Sequence, residues 1–140
     1  MPKKEANFDL FIRDLLQNAG IAPTAQGSAN VEIDRALKTA SKNQTGAVGF
    51  PEYVALVDDF VLVVEDKANR AKLVLRDDDE SISQSVEATR DYAVNGALYY
   101  ARKIAENSSF EKIFAFGCAG DAKKHEIRPL FVDKDGNYQE

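Results

Sequence analysis

Cysteine, histidine and long apolar runs are scarce in this chain, and each shortage removes a class of function. One cysteine, Cys118, excludes an internal disulfide and a cysteine-rich zinc site, and makes the cytoplasm the expected compartment. One histidine, His125, leaves no partner for a histidine metal site. No run approaches the roughly 18 apolar residues that a membrane helix needs, so no membrane partner is expected. The charged start, Met1-Pro2-Lys3-Lys4-Glu5, is not followed by the apolar stretch of a secretion signal. No Gly-Lys-Ser/Thr occurs, and Gly27 and Gly46 build no phosphate cradle, which argues against nucleotide hydrolysis within the chain. An excess of positive charge is also lacking. The net charge is −5, whereas a protein that grips nucleic acid unaided usually shows a basic surface.

What is present is an ordinary globular balance: 140 residues, 44% hydrophobic and 29% charged, enough for one core. Phe8, Phe11, Ile12, Leu15 and Leu16 form one helical stripe, with Asn7 as a possible cap, or Pro2 in the first turn of an earlier start. Gly20 supplies a left-handed terminus. A loop follows over 22–28, then a short helix over 32–40 and a loop over 41–49. Tyr53–Val57 and 60–65 read as apolar, β-branched strands joined by Asp58-Asp59. The polar stretch 69–83 contains a short strand at 71–75. A long helix is predicted over 83–106, and two strands over 112–118 and 127–132 close the chain. The order predicts a mixed α/β (α+β) domain, a central sheet flanked by helices, with residues 1–140 as one unit.

Glu52 opens one strand, while Glu65 and Lys67 end the next. Residues two apart on a strand share a face, so Glu65 and Lys67 project together and Asp66 points away. If the strands form a hairpin, Glu52 arrives at the same end of the sheet. Two carboxylates can hold Mg²⁺, which prefers oxygen ligands. The metal acidifies a bound water and polarises a phosphate. A lysine can orient that water, steady charge developing at phosphorus, or act as a base beside the metal. The same pattern also has a bland reading, since strands commonly end in solvated acids and lysines.

The wider context carries a resemblance. Ser41-Lys42-Asn43, Gly46, Gly49-Phe50-Pro51-Glu52-Tyr53-Val54 and Val63-Val64-Glu65-Asp66-Lys67-Ala68 resemble the PD-(D/E)xK nuclease domain at the N-terminus of type I restriction R subunits. They also resemble restriction–modification proteins that fuse such a domain to an adenine methyltransferase or helicase. The stretch 91–101 is similar to the long helix after the acid-x-Lys motif, and 113–120 to the strand that follows. The resemblance implies a restriction-endonuclease-like core and a Mg²⁺-dependent DNA endonuclease, with Mn²⁺ as a substitute metal. It implies double-stranded DNA as substrate and methyltransferase, helicase or specificity domains or subunits as partners, with this chain the N-terminal part of a larger protein. It also implies a helix acid, Asp9, or Glu5 if the helix starts earlier, completing a set of Glu52, Glu65, Asp9 as metal ligands and Lys67. Read from the residues alone, Asp9 is equally a solvated first-turn acid facing Arg13.

Two positions depart from the family pattern. Glu52 stands where Asp is usual. Ala88 stands where some relatives carry Gln four residues before Tyr92, and Gln84, a turn earlier on the same face, is the candidate substitute. Among the remaining residues, His125 reads as exposed loop, Cys118 as a small buried thiol and 77–80 as a solvated acidic loop. Lys123 and Lys124 are available for DNA backbone. Two alternatives stand beside the restriction reading: a catalytically silent docking or assembly module on the same fold, and a repair or recombination nuclease.

Overall fold

The computed structural model describes residues 3–25, 30–38, 40 and 50–140. The expected loop over 41–49, residues 26–28 of that over 22–28 and the side chain of Glu5 lie outside the described residues, and Thr24 and Ala25 of the latter loop pair as a strand.

Six strands form one sheet in chain order: β1 (Thr24–Ala25), β2 (Tyr53–Val57), β3 (Phe60–Lys67), β4 (Ile113–Gly120), β5 (His125–Val132) and β6 (Tyr138–Gln139). Every neighbouring pair is antiparallel except β3 and β4, which run parallel. β2 and β3 close a hairpin through Asp58, whose φ of +53° is the left-handed backbone such a tight turn requires. A parallel pair needs a crossover. Here it contains α3 (Val86–Asp91) and α4 (Ala93–Asn107). The sheet is thus mixed and flanked by helices, as the element order predicts.

Alternation along the strands divides the core. Val61, Val63, Ile113, Ala115, Leu130 and Val132 face α4 and α2 (Val31–Ala36), which contribute Leu98, Ile104 and Ile33. The opposite face presents Val64, Tyr53 and Cys118 to Phe8 and Ile12 of α1 (Lys3–Asn18). α4 lies very close to β4. A Cβ on Gly117 would come within 2.5 Å of Val94, so only glycine admits this approach.

Several elements differ from their sequence-based expectations. The predicted helix over 83–106 is two helices, because Tyr92 adopts extended backbone (φ −118°, ψ 138°). The expected strand at 71–75 is absent. Residues Arg70–Lys72 form a 3-10 turn instead. Tertiary bonds explain both changes. The Asn95 amide, fully buried, donates to the carbonyls of Leu75 (2.8 Å) and Ser83 (2.7 Å) and accepts from the N–H of Leu75 (3.0 Å). The Val94 N–H donates to the Leu73 carbonyl (2.8 Å). These bonds hold backbone groups of the segment where no neighbouring strand is available.

The second helix is shorter than 32–40 and is capped by Asn30, whose side chain accepts from the Ile33 N–H. α1 begins at Lys3 rather than at an Asn7 cap, and Gly20 takes φ +82° after it. β3, β4 and β5 each extend beyond their expected limits, because the ladder continues through Lys67↔Ala119 and Gly120↔His125. Among the described residues, no helix is long and apolar enough to cross a membrane.

Candidate metal centre

At the carboxyl end of β3, strand alternation sends two neighbouring acids to opposite faces. Glu65 continues the line of Val61 and Val63, and Asp66 that of Leu62 and Val64. The parallel ladder pairs Asp66 with Cys118 and carries both into the buried region beneath α1. α1 is located there by its apolar stripe and by the Tyr53 hydroxyl, which donates to the Asp9 carbonyl at 3.0 Å. Phe8 and Ile12 pack on the sheet, and Asp9, between them on the helix, turns toward Asp66. Glu52, immediately before β2, stands at the sheet end between the faces. Its N–H donates to Oε1 of Glu65 at 2.9 Å.

Asp9, Glu52 and Asp66 each bring a carboxylate oxygen to within 4.8 Å of the others. Opposite oxygens around octahedral Mg²⁺ lie about 4.1 Å apart, from bond lengths of about 2.05 Å. Little movement would therefore close these ligands on a hard cation. Burial supports the same conclusion. Asp66 is 1% exposed and Asp9 9%. Oδ1 of Asp9 and both carboxylate oxygens of Asp66 have no hydrogen-bond donor apart from a proton held between the two carboxyls themselves. Buried polar atoms are almost always satisfied, so acceptors left without an N–H or hydroxyl donor on two of the three clustered acids fit a cation.

Electrostatics follow from this crowding. Burial pushes the Asp66 carboxyl up to about 10, helped by a proton shared with Asp9 and by the charges of Asp9, Glu52 and Glu65. Burial, then Asp9 and Asp66, raise the Tyr53 hydroxyl to about 12. Cys118 rises to about 12 for the same first reason, with Asp66 and Glu65 adding to it. It is a buried, inert thiol, not a nucleophile.

This arrangement makes metal-free stability depend on pH. Asp66 has an ordinary value of 3.8 when unfolded and one near 10 when folded. Between those limits the folded state holds the extra proton. Stability is therefore full at the acid end and is lost as pH rises, by up to about 1.4 kcal/mol per pH unit for a single group. Asp79, Asp91, Asp121 and Glu140, whose values are lowered, act only at the acid end of the scale. Thermal melts in chelator are expected to show a falling Tm from about pH 5 to about pH 8. A Tm that rises over this window would contradict the buried, protonated Asp66.

The sequence-predicted residues are distributed as follows. Asp9 and Glu52 meet in the cluster. Asp9 is neither solvated nor paired with Arg13, whose guanidinium lies 3.9 Å from Asp14. Glu65, 2% exposed, joins Glu52 through the backbone from the α4 face. Lys67, on that same face, donates from Nζ to the Arg90 carbonyl at the end of α3 (3.1 Å). Asp66, read from the strand as pointing away, is the third acid of the cluster. The signal for it was the alternation itself, which aligns Asp66 with Val64. The sequence did not say that α1 packs on that face.

Gln84 does not share a helix face with Tyr92. It precedes α3, is exposed, and donates to the Ser83 carbonyl, while Tyr92 occupies the helix break with Lys72 4.9 Å above its ring. His125 is exposed as expected, although it opens β5 instead of lying in a loop, and its ring is 5.1 Å from that of Phe11.

Fold and site together define a mixed-sheet α/β domain with an acidic cluster suited to a metal at the end of its sheet. The chain is 36% identical over 136 residues to the type II restriction enzyme and methyltransferase RM.BcgI of Heyndrickxia coagulans. That match covers 96% of this chain and 21% of the relative, so the chain spans about a fifth of the relative's length. No family model and no solved structure match the chain.

Proposed function

We propose that this chain is the Mg²⁺-dependent endonuclease module of a restriction–modification protein, cutting duplex DNA that lacks the protective modification. The observation that carries the reading is the cluster of Asp9, Glu52 and Asp66, with its buried oxygens lacking an N–H or hydroxyl donor, at the end of the strand that also carries Glu65 and Lys67. The relation to RM.BcgI supports it, since that protein joins a restriction enzyme to a methyltransferase. Methylation and sequence reading then fall to modules other than this one, in keeping with its net charge of −5.

A bound divalent cation would supply polarisation of the phosphate and a more acidic water. Asp9, Glu52 and Asp66 would hold that cation. Glu65 anchors the Glu52 backbone and, from the resemblance, is assigned as a further ligand reaching the same sheet end. Lys67 lies on Glu65's face, where its ammonium group would orient the attacking water or offset charge at the phosphate.

The test is a titration of Mn²⁺ into isotope-labelled protein, followed by amide NMR. Paramagnetic broadening is expected around Asp9, Glu52 and Asp66, and is expected to vanish in Asp66→Asn. Broadening confined to 77–80, or none, would overturn the metal-dependent reading and favour a catalytically silent module.

A further inference from the structure

Beyond the acidic cluster, two pockets meet at the carboxyl ends of β3 and β4. One, of about 230 Å³, lies between Asn7 and Phe8 of α1 and the β4–β5 turn. The other, of about 440 Å³, lies between that turn and Asn69 and Arg70. They share Ala68, Gly120 and Asp121, so together they form one groove. Its inner end adjoins the cluster, because Ala68 is two residues from Asp66 and Phe8 is next to Asp9.

We propose that this groove seats the phosphate backbone of a DNA strand through Arg70 and Lys124, leading it to the acidic cluster. The proposal rests on the nuclease reading above. Arg70 and Lys124 are exposed, and among the described residues neither forms a salt bridge. Cations without acidic partners are notable in a chain of net charge −5, and here they flank a concave surface.

The turn that presents Lys124 is rigidly built. Gly120 has φ +128°, and a Cβ there would meet the Lys124 carbonyl at 2.2 Å and Cγ of Arg70 at 2.9 Å. The glycine therefore lets the Arg70 stem lie directly against the turn. Asp121, an exposed acid at the edge of the groove, directs one oxygen at the turn: its Oδ1 accepts the N–H groups of Lys123 (2.8 Å) and Lys124 (2.7 Å). Those bonds hold its carboxyl below the usual range and keep this acceptor directed at the protein. Contacts of this kind position a strand without reading its bases.

The experiment measures binding of a labelled DNA duplex by anisotropy at several salt concentrations, with Ca²⁺ present to fill the carboxylates. Arg70→Ala/Lys124→Ala is expected to weaken binding and to reduce the slope of log affinity against log salt by about two, one per lost phosphate contact. Arg70→Lys should retain most of the slope, and Lys134→Ala, on the β5–β6 turn, should leave it unchanged. Wild-type affinity and slope in the double variant, or no duplex binding by the wild type, would overturn the groove. Mn²⁺ broadening separates the two readings. If it persists at the cluster, only the groove has failed. If it is absent, the nuclease reading fails as well.

Discussion

Replacing Asp66 with asparagine is expected to raise the Tm of the metal-free protein by about 7 °C while removing its stabilisation by Mn²⁺. Asp66 is fully buried beside two other acids, and neither of its oxygens receives a hydrogen bond from an N–H or hydroxyl group. Asparagine is neutral in both states, so it removes the proton uptake that folding demands of Asp66, an effect on the order of 2 kcal/mol. The asparagine amide can donate to Asp9 in place of the proton the two acids share, so no hydrogen bond is lost. Over a chain of this length about 1 kcal/mol corresponds to roughly 3–4 °C. The wild-type protein, by contrast, should gain about 2.7 kcal/mol at a Mn²⁺ concentration a hundred times its Kd. Melts with and without Mn²⁺ measure both effects. A variant that melts lower than wild type and still responds to Mn²⁺ would remove Asp66 from the metal site. The pairing of gained stability with lost metal response is what a functional acid, tolerated at a structural cost, should produce.

The second large effect is expected at Lys67. DNA cleavage by the Lys67→Ala protein should fall about 10²- to 10³-fold, the usual loss when one charge-stabilising donor is removed from a reacting centre. Mn²⁺ affinity should not change, because lysine is not a ligand. The fold should survive as well, since Lys67 makes one exposed hydrogen bond, to the Arg90 carbonyl, worth about 1 kcal/mol. Equal cleavage by wild type and Lys67→Ala would exclude a catalytic role. Glu65→Gln is the natural companion. The glutamine oxygen can still accept the Glu52 N–H, so the sheet end keeps its shape while the charge is lost. Reduced Mn²⁺ affinity would make Glu65 a ligand, and unchanged affinity would leave it as the anchor of Glu52 seen in the structure.

Much of the fold was legible in the residues. The α1 stripe, the hairpin at Asp58-Asp59 and the apolar strands each declare themselves locally, because their periodicity is set by backbone geometry over a few residues. Where local pattern and structure differ, long-range bonds decide. The predicted strand at 71–75 instead bonds to Asn95 and Val94, and the predicted long helix breaks at Tyr92. Neither bond leaves a trace in local pattern, since its partners are about twenty residues apart.

For the candidate site, the sequence by itself determined which groups stand near one another along the chain: Glu52 at the head of one strand, Glu65, Asp66 and Lys67 at the tail of the next. It also determined that Glu65 and Lys67 share a face and that Asp66 takes the other, because side chains alternate on any strand. Only the tertiary structure decided which face meets which helix. α4 covers the Glu65 side, and α1 brings Asp9 to the Asp66 side through packing of Phe8 and Ile12 on Val64 and Cys118. Apolar packing is non-directional, so the stripe on α1 fixes that the helix is buried without fixing the sheet face it covers. That choice made Asp66, with Asp9 and Glu52, a member of the acidic cluster.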